Sequence, residues 1–194
     1  RCGESGMIPA TLGIDTWGVD YALLDAASER IGDITAYRDS RTEGLIRRLD
    51  QAISPQALYA RTGTARQSYN TVYQLMAEFA EHPERRDQAR SLLFTPCYLN
   101  YRLTGIARNE YAIASTSGLL NAKTRHWDAD VLRAASIPGA LLGEPPVLPG
   151  GKLGALSPDV AQTVGFSCDV MLPPCHDTGC AFLAVPAQSP DAAF

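Results

Sequence analysis

The sequence predicts a mixed α/β domain, and three observations carry that prediction. Short apolar runs broken by Gly-containing interruptions occupy residues 11–37, which suits strands separated by turns. From residue 43 to residue 103 the apolar positions recur at helical spacing. Near the end, an apolar segment at 169–172 follows a Pro/Gly-rich connection and leads into an apolar helix.

Taken in order, residues 11–15 and 16–25 read as two strands, or one bulged strand, around a polar turn. Residues 26–30 form a second turn, and 31–37 a third strand, giving a meander rather than a βαβ unit. Leu45, Ile46 and Leu49 share one helix face. Ser54-Pro55 starts another helix, with Ser as cap and Pro at the first position. Asn70 is expected to cap a helix over 71–81, where Val72, Leu75, Met76 and Phe79 fall at helical spacing and His82-Pro83 ends the run. Residues 91–103 read as one apolar helix that stops at Thr104-Gly105. Asp128-Ala129-Asp130 opens a helix ended by Pro138-Gly139, and 143–151 is a connection without regular structure. Ser157-Pro158 starts a short helix that stops at Gly165, 169–172 is a buried strand, and 180–185 an apolar helix.

The chain has 194 residues, 45% hydrophobic and 20% charged, enough for one domain with a real core. Its net charge of -4, without a dense run of Lys or Arg, argues against nucleic acid or an anionic membrane surface as partner. No apolar run approaches the ~20 residues of a membrane span, and the first residues lack a secretory-signal pattern. The five cysteines are scattered and odd in number, which favours a reduced, cytoplasmic protein and leaves a single bridge open.

Chemistry concentrates in Cys175-His176-Asp177-Thr178-Gly179, between a strand end and a helix start. That is a common place for a ligand in an α/β sheet, and a helix N-terminus favours negative charge there. Asp177 or Thr178 is equally readable as a helix cap; both roles are compatible, since a cap fixes a carboxylate rigidly. In Asp15-Thr16-Trp17-Gly18-Val19-Asp20, Trp17 offers a flat apolar face beside a backbone that a ligand can approach closely, although a strand with a core Trp is the plainer reading. Asp15 and Asp20 would face opposite sides of a regular strand. Residues 37–42, Tyr-Arg-Asp-Ser-Arg-Thr, read by default as a solvated, salt-bridged loop. Cys175, His176 and Cys180 do not have the spacing of a structural zinc site, and adjacent Cys175 and His176 would point apart rather than form a nucleophilic pair. No Gly-rich phosphate loop or nucleophile elbow is present.

In their order these segments resemble the rhamnulokinase branch of the FGGY family of carbohydrate kinases. The matching runs are Gly13-Ile14-Asp15-Thr16-Trp17-Gly18-Val19-Asp20, Tyr37-Arg38-Asp39-Ser40-Arg41-Thr42, Asn70-Thr71-Val72-Tyr73-Gln74-Leu75, Tyr101-Arg102-Leu103-Thr104-Gly105, Glu110-Tyr111 with Ala114-Ser115-Thr116, and His176-Asp177-Thr178. The first two are the specific ones; the fourth and last are shared widely among sugar kinases. The resemblance implies an actin-like, ribonuclease H-like α/β fold and an ATP- and Mg2+-dependent enzyme that phosphorylates the 1-hydroxyl of L-rhamnulose. It implies that Asp177 is the general base and that Gly18, His176 and Thr178 contact the ketose; Trp17 is inferred to pack beside the sugar from its neighbour.

It further implies that residues 1–194 are part of the sugar-binding N-terminal domain. The family's phosphate-binding hairpin would precede Arg1, and its second phosphate motif and nucleotide-binding domain would follow Phe194, so the chain alone is expected not to turn over ATP. Three positions depart from the pattern: Cys97 stands where an acidic residue is usual, Cys175 replaces a small residue, and Ile113 replaces a polar one. They bear on the choice of sugar, which leaves a kinase of fuculose or xylulose as an alternative. A non-catalytic sugar-binding module of the same fold is another. A hydrolase of the same broad superfamily would need metal-binding carboxylates around Asp15, Asp20 and Asp177.

Overall fold

The computed structural model describes residues 2–189. A short helix α1 (Cys2–Ser5) precedes strand β1 (Thr11–Gly13), and β2 (Tyr21–Leu24) with β3 (Arg30–Ile31) forms a hairpin. Asp25 closes that hairpin by accepting from the amides of Ala27 (2.8 Å) and Glu29 (2.9 Å). Helices α2 (Leu45–Asp50), α3 (Pro55–Thr62), α4 (Thr71–Glu81) and α5 (Pro83–Gln88) follow. Strand β4 (Ser91–Phe94) runs straight into α6 (Thr95–Thr104), and α7 (Tyr111–Ala114) and α8 (Ala129–Ala134) come next. The chain continues through β5 (Lys152–Ala155), α9 (Pro158–Val164), β6 (Asp169–Met171) and α10 (Asp177–Ala184).

The strands divide into two sheets of order β1-β6-β5 and β3-β2-β4. β1 lies parallel to β6, and β5 antiparallel to it. In the second sheet β2 is antiparallel to both β3 and β4. The expected meander is therefore corrected: β1 leaves its sequence neighbours and pairs with a strand near the far end of the chain. The cause is local. Val19 has φ 70°, a left-handed conformation that turns the chain between β1 and β2. The third strand also shrinks, to Arg30–Ile31.

A second correction concerns 91–103. Leu92, Leu93 and Phe94 are all buried, and such a run has no period to tell strand from helix. Pro96 carries the distinction, since proline is tolerated in a helix's first turn and not inside it, and the helix begins there. Strand β5, which contains Gly154, gives no local signal.

The main core gathers Leu24, Leu49, Tyr73, Leu75, Leu92, Phe94, Ile113 and Val131 between the β2 sheet and its helices. At roughly 1.5–3 kcal/mol for each large apolar side chain buried, it is the main driving force for this half. A smaller cluster of Leu156, Cys168 and Val170, with Leu12 and Phe166 against it, lies on the β1-β6-β5 sheet. The cap expected at Ser54 and the helix starts expected at Asp128 and Ser157 hold, and all three side chains accept from amides there. Asn70 takes the cap position of α4 as expected but makes no side-chain capping bond; its side chain accepts from Gln67 N (2.8 Å) and donates to Thr116 O (3.1 Å). All five cysteines are free thiols, and among the described residues no helix is long and apolar enough to cross a membrane.

Candidate active site

Beyond their paired ends, β1 and β6 run on side by side and meet once more. Thr16 N donates to Cys175 O (3.2 Å), and Asp177 N donates to Thr16 O (2.9 Å). This second meeting, at the carboxyl ends of two parallel strands, brings Trp17 and Gly18 beside His176, Asp177 and Thr178, where α/β sheets hold ligands. All five line one cleft of about 450 Å3. Tyr37, Thr116 and side chains from residues 64–70 complete it.

The Trp17 side of the cleft is fixed by what lies beneath it. Val19 keeps its left-handed φ although a β-branched residue rarely adopts it, because both of its backbone groups are held. Val19 N donates to Thr116 Oγ1 (3.2 Å), and Thr71 Oγ1 donates to Val19 O (2.7 Å). Gly18 passes so close to Thr116 that a Cβ there would meet three side-chain atoms at 3.1–3.2 Å. Asp20, only 1% exposed, anchors the rest. Its Oδ2 accepts from Trp17 Nε1 (2.8 Å) and Tyr37 N (3.3 Å), and its Oδ1 from Gln74 Nε2 (3.2 Å). The indole is thereby held by its N–H, leaving a ring 47% exposed at the cleft.

The network continues inward. Arg41 donates to Gln74 Oε1 (3.1 Å) and Glu78 Oε2 (2.9 Å), and Arg85 donates to Glu78 Oε1 (2.5 Å). Side chains of Arg41 and Glu78 are 9% and 6% exposed. The default reading of residues 37–42 as a solvated loop is therefore corrected: Tyr37 lines the cleft and Arg41 is buried and paired. The reason is that Glu78 and Gln74 on α4 offer the guanidinium two acceptors, one of them charged, which offsets the cost of burial.

The opposite side is held differently. His176 occupies the cap position of α10 without a side-chain capping bond, and Asp177 is the first helical residue. Neither Asp177 nor Thr178 is thus the cap. Asp177 Oδ1 accepts from Thr178 N (2.6 Å) and Thr178 Oγ1 (3.2 Å), with His176 Nε2 at 3.4 Å. Its Oδ2 has no partner among the described residues, and the side chain is 57% exposed. One carboxylate oxygen is oriented and the other is open to the cleft, the arrangement a proton acceptor needs.

Behind this segment stands Glu110, fully buried. It accepts from the amides of Ala112 (2.7 Å), Ile113 (3.1 Å) and Cys175 (3.0 Å). Burial pushes its carboxyl above the ordinary value, against the pull of those three amides. The thiol of Cys175 is raised far above its ordinary range by its contact with Cys97 and by burial. Burial and the nearby Asp15 carboxylate raise that of Cys180, which donates to Pro174 O (2.7 Å). These are protonated packing residues at neutral pH rather than nucleophiles.

Asp15 is exposed, and Asp20 is buried and accepts from Trp17, Tyr37 and Gln74. Asp20 lies under the cleft rather than in its lining. Among the described residues no three Asp, Glu, His or Cys side chains come together as metal ligands. Tyr69 and Gln67, which line the cleft, carry no motif of their own. The anchoring roles of Asp20 and Glu110 were equally hidden, although an acidic residue inside an apolar run was the available hint.

A family model described as the N-terminal domain of the FGGY family of carbohydrate kinases matches residues 5–183. A rhamnulokinase of Halalkalibacterium halodurans is 40% identical over 186 residues, 96% of this chain and 40% of that protein. A rhamnulokinase of Yersinia pestis is 41% identical over 191 residues, 98% of this chain and 38% of the relative. The chain thus spans about two fifths of the length of these curated relatives. Among solved structures, a xylulose kinase from Rhodospirillum rubrum superposes with a TM-score of 0.80 at 20% identity, over 88% of this chain and 35% of that one. The fold is that of the corresponding part of these actin-like sugar kinases.

Proposed function

Since this chain belongs to the FGGY family of carbohydrate kinases, we propose that it forms the sugar-holding part of an enzyme that transfers a phosphoryl group from ATP to the 1-hydroxyl of L-rhamnulose. The observation that carries this reading is the state of Asp177: one carboxylate oxygen is held by Thr178 and the other is free at a cleft shared with Trp17 and Gly18. Phosphoryl transfer demands placement and charge stabilisation more than covalent catalysis, so an oriented carboxylate is the group this part of the protein must supply.

In the proposed reaction the sugar's 1-hydroxyl oxygen bonds to the terminal phosphorus of ATP. The bond from that phosphorus to the bridging oxygen breaks, ADP leaves, and the hydroxyl proton passes to Asp177. His176 and Thr178 hydrogen-bond the ketose beside the reacting oxygen, the backbone at Gly18 lets the sugar approach, and the Trp17 ring packs against its carbon skeleton. ATP and Mg2+ belong, on this reading, to the part of the family's length that the chain does not span; the chain by itself is expected to be inactive. The preference for L-rhamnulose over another ketose is supported by relatives about 40% identical that bear the name rhamnulokinase.

The test is a coupled ADP-release assay on the protein expressed from its own reading frame, offered L-rhamnulose, L-fuculose and D-xylulose with Mg-ATP. Strong preference for L-rhamnulose is the expected result. Preference for another ketose would keep Asp177 as base and move the specificity, and no turnover of any of them would favour a binding module.

A further inference from the structure

Most described arginines are engaged within the protein, by a carboxylate, a carbonyl, a phenol or an aromatic ring. Among the described residues, Arg47, Arg48 and Arg86 have no such partner. Two of these three, Arg48 and Arg86, line one hollow of about 340 Å3 between α2, α4, α5 and α8. Gln51 and Ser136, the other polar residues on its wall, have no side-chain hydrogen bond either, and no described carboxylate lines it. The rest of the wall is apolar, with Met76 and Phe79 of α4 as its large side chains. A hollow of about 310 Å3 beside it, also lined by Ala134, shows the contrary state: its Arg61 and Arg133 both pair with Asp130 of the same wall. Arg48 and Arg86 lie in the last turns of α2 and α5, where a helix favours a cation. That explains a positive charge at each place, but not two open guanidiniums on one wall without a carboxylate.

We propose that the hollow between α2, α4, α5 and α8 is a binding site for a small phosphomonoester, a dianionic phosphate group joined to a carbon body. Two guanidiniums with no carboxylate beside them match the charge of such a group, about −1.5 to −2 at neutral pH. The guanidinium fork takes phosphate oxygens through paired hydrogen bonds, and the Gln51 amide and Ser136 hydroxyl add neutral donors. Met76 and Phe79 give the carbon body an apolar surface against which to leave water. The volume falls within the ~300–1,000 Å3 of small-molecule pockets. The hollow shares no lining residue with the sugar cleft, so its ligand does not depend on which ketose the cleft takes.

The test is isothermal titration of phenyl phosphate into the protein expressed from its own reading frame, with benzenesulfonate, similar in shape but carrying one charge, for comparison. The variants are Arg48→Gln, Arg86→Gln and, as a control for net charge, Arg47→Gln, since Arg47 is equally unpaired and lies outside the hollow. All three arginines are exposed, so the variants are expected to fold, and a thermal melt checks it. Phenyl phosphate should bind more tightly than benzenesulfonate. Arg48→Gln and Arg86→Gln should each weaken it about tenfold or more, the worth of one charge-assisted hydrogen bond, and Arg47→Gln should leave it unchanged. Affinity unchanged in both Arg48→Gln and Arg86→Gln would place the anion elsewhere, at a nucleotide site for example, and overturn the proposal. An equal loss in Arg47→Gln would overturn it too, by assigning the effect to net charge. Benzenesulfonate bound as tightly as phenyl phosphate would overturn the choice of a dianion, and binding of neither would overturn the site itself.

Discussion

The side of the cleft that carries Trp17, Gly18 and Val19 is pinned from beneath by buried polar side chains, whereas the side that carries His176, Asp177 and Thr178 stands on a helix with no buried residue. The first rests on Asp20, Gln74 and Thr71, each no more than 1% exposed. The second is attached by two backbone hydrogen bonds with Thr16, one amide bond to Glu110 and the packing of buried Cys175 against Cys97. The pinned side is built to keep a shape, since changing it means breaking buried hydrogen bonds. The lightly attached side bears Asp177, the proposed proton acceptor, whose carboxylate is oriented by Thr178 rather than by buried anchors. Substitutions should therefore separate: on the pinned side stability and sugar binding fall together, and on the other side turnover falls alone.

The largest effect is expected from Asp177→Asn. The carboxylate is more than half exposed and supports no packing, so the melting temperature should not move. Turnover should drop about 10²–10⁴-fold, the usual worth of a positioned acid or base, with KM for the sugar little changed. Steady-state kinetics on the protein from its own reading frame, paired with a thermal melt, reads both. A melt that falls along with kcat would mean that the two sides are not held differently.

Asp20→Ala is the counterpart on the pinned side. It leaves the Trp17 indole and the Tyr37 amide without an acceptor, and takes one acceptor from the Gln74 side-chain amide, which still reaches Tyr69 O (2.9 Å). The expected loss is about 3 kcal/mol, given ~1–3 kcal/mol for each buried group left unpaired and water's access to the indole. Denaturant unfolding measures it. KM for the sugar should rise as well, because Trp17 and the Tyr37 segment lose their common anchor.

Gly18→Ala sharpens the comparison at smaller cost. The new methyl would press on Thr116 at 3.1–3.2 Å, and overpacking of this kind costs roughly 1–3 kcal/mol. Thr116→Ser removes one of the three close atoms, so the double substitution should lose less stability than the sum of the singles. Strict additivity would show that the contact yields without strain and that this side is softer than its hydrogen bonds suggest.

How much of this was legible beforehand follows from where the information sits. Helix starts at Ser54, Asp128 and Ser157 are local chemistry, a side-chain oxygen facing amides two or three residues on, and all three read correctly. The partner of β1 is not local: nothing in Thr11-Leu12-Gly13 points to Asp169-Val170-Met171, so the meander reading failed. Trp17, Gly18, His176, Asp177 and Thr178 were singled out by motif and do converge on one cleft, yet motif could not show how they are held. Asp20 and Glu110 carry that work through three amide or indole donors each, and their burial became visible only when α4 and α7 closed over them. Tyr69 is further from legibility still, since a tyrosine before Asn70 looks like any residue at the end of a loop until Tyr37 is seen against its ring.

The smallest effect concerns the buried carboxyl behind the lightly attached side, and it appears as a slope. Burial raises the carboxyl of Glu110 above its ordinary value of 4.5. The folded protein then holds the proton more tightly than the unfolded one. Glu110 therefore contributes most below the ordinary value, and its contribution falls as pH rises from there through the raised folded value. Glu110→Gln has no such titration. It keeps an acceptor for two of the three amides and turns an NH2 group toward the third, so it should be less stable overall. Denaturant unfolding of both proteins across mildly acid to neutral pH should show the advantage of the unsubstituted protein narrowing as pH rises. A constant advantage would mean that burial and the three amides cancel. A widening one would mean that the amides outweigh burial, and that the segment bearing Asp177 is pinned by charge from behind, much as Trp17 is pinned by Asp20.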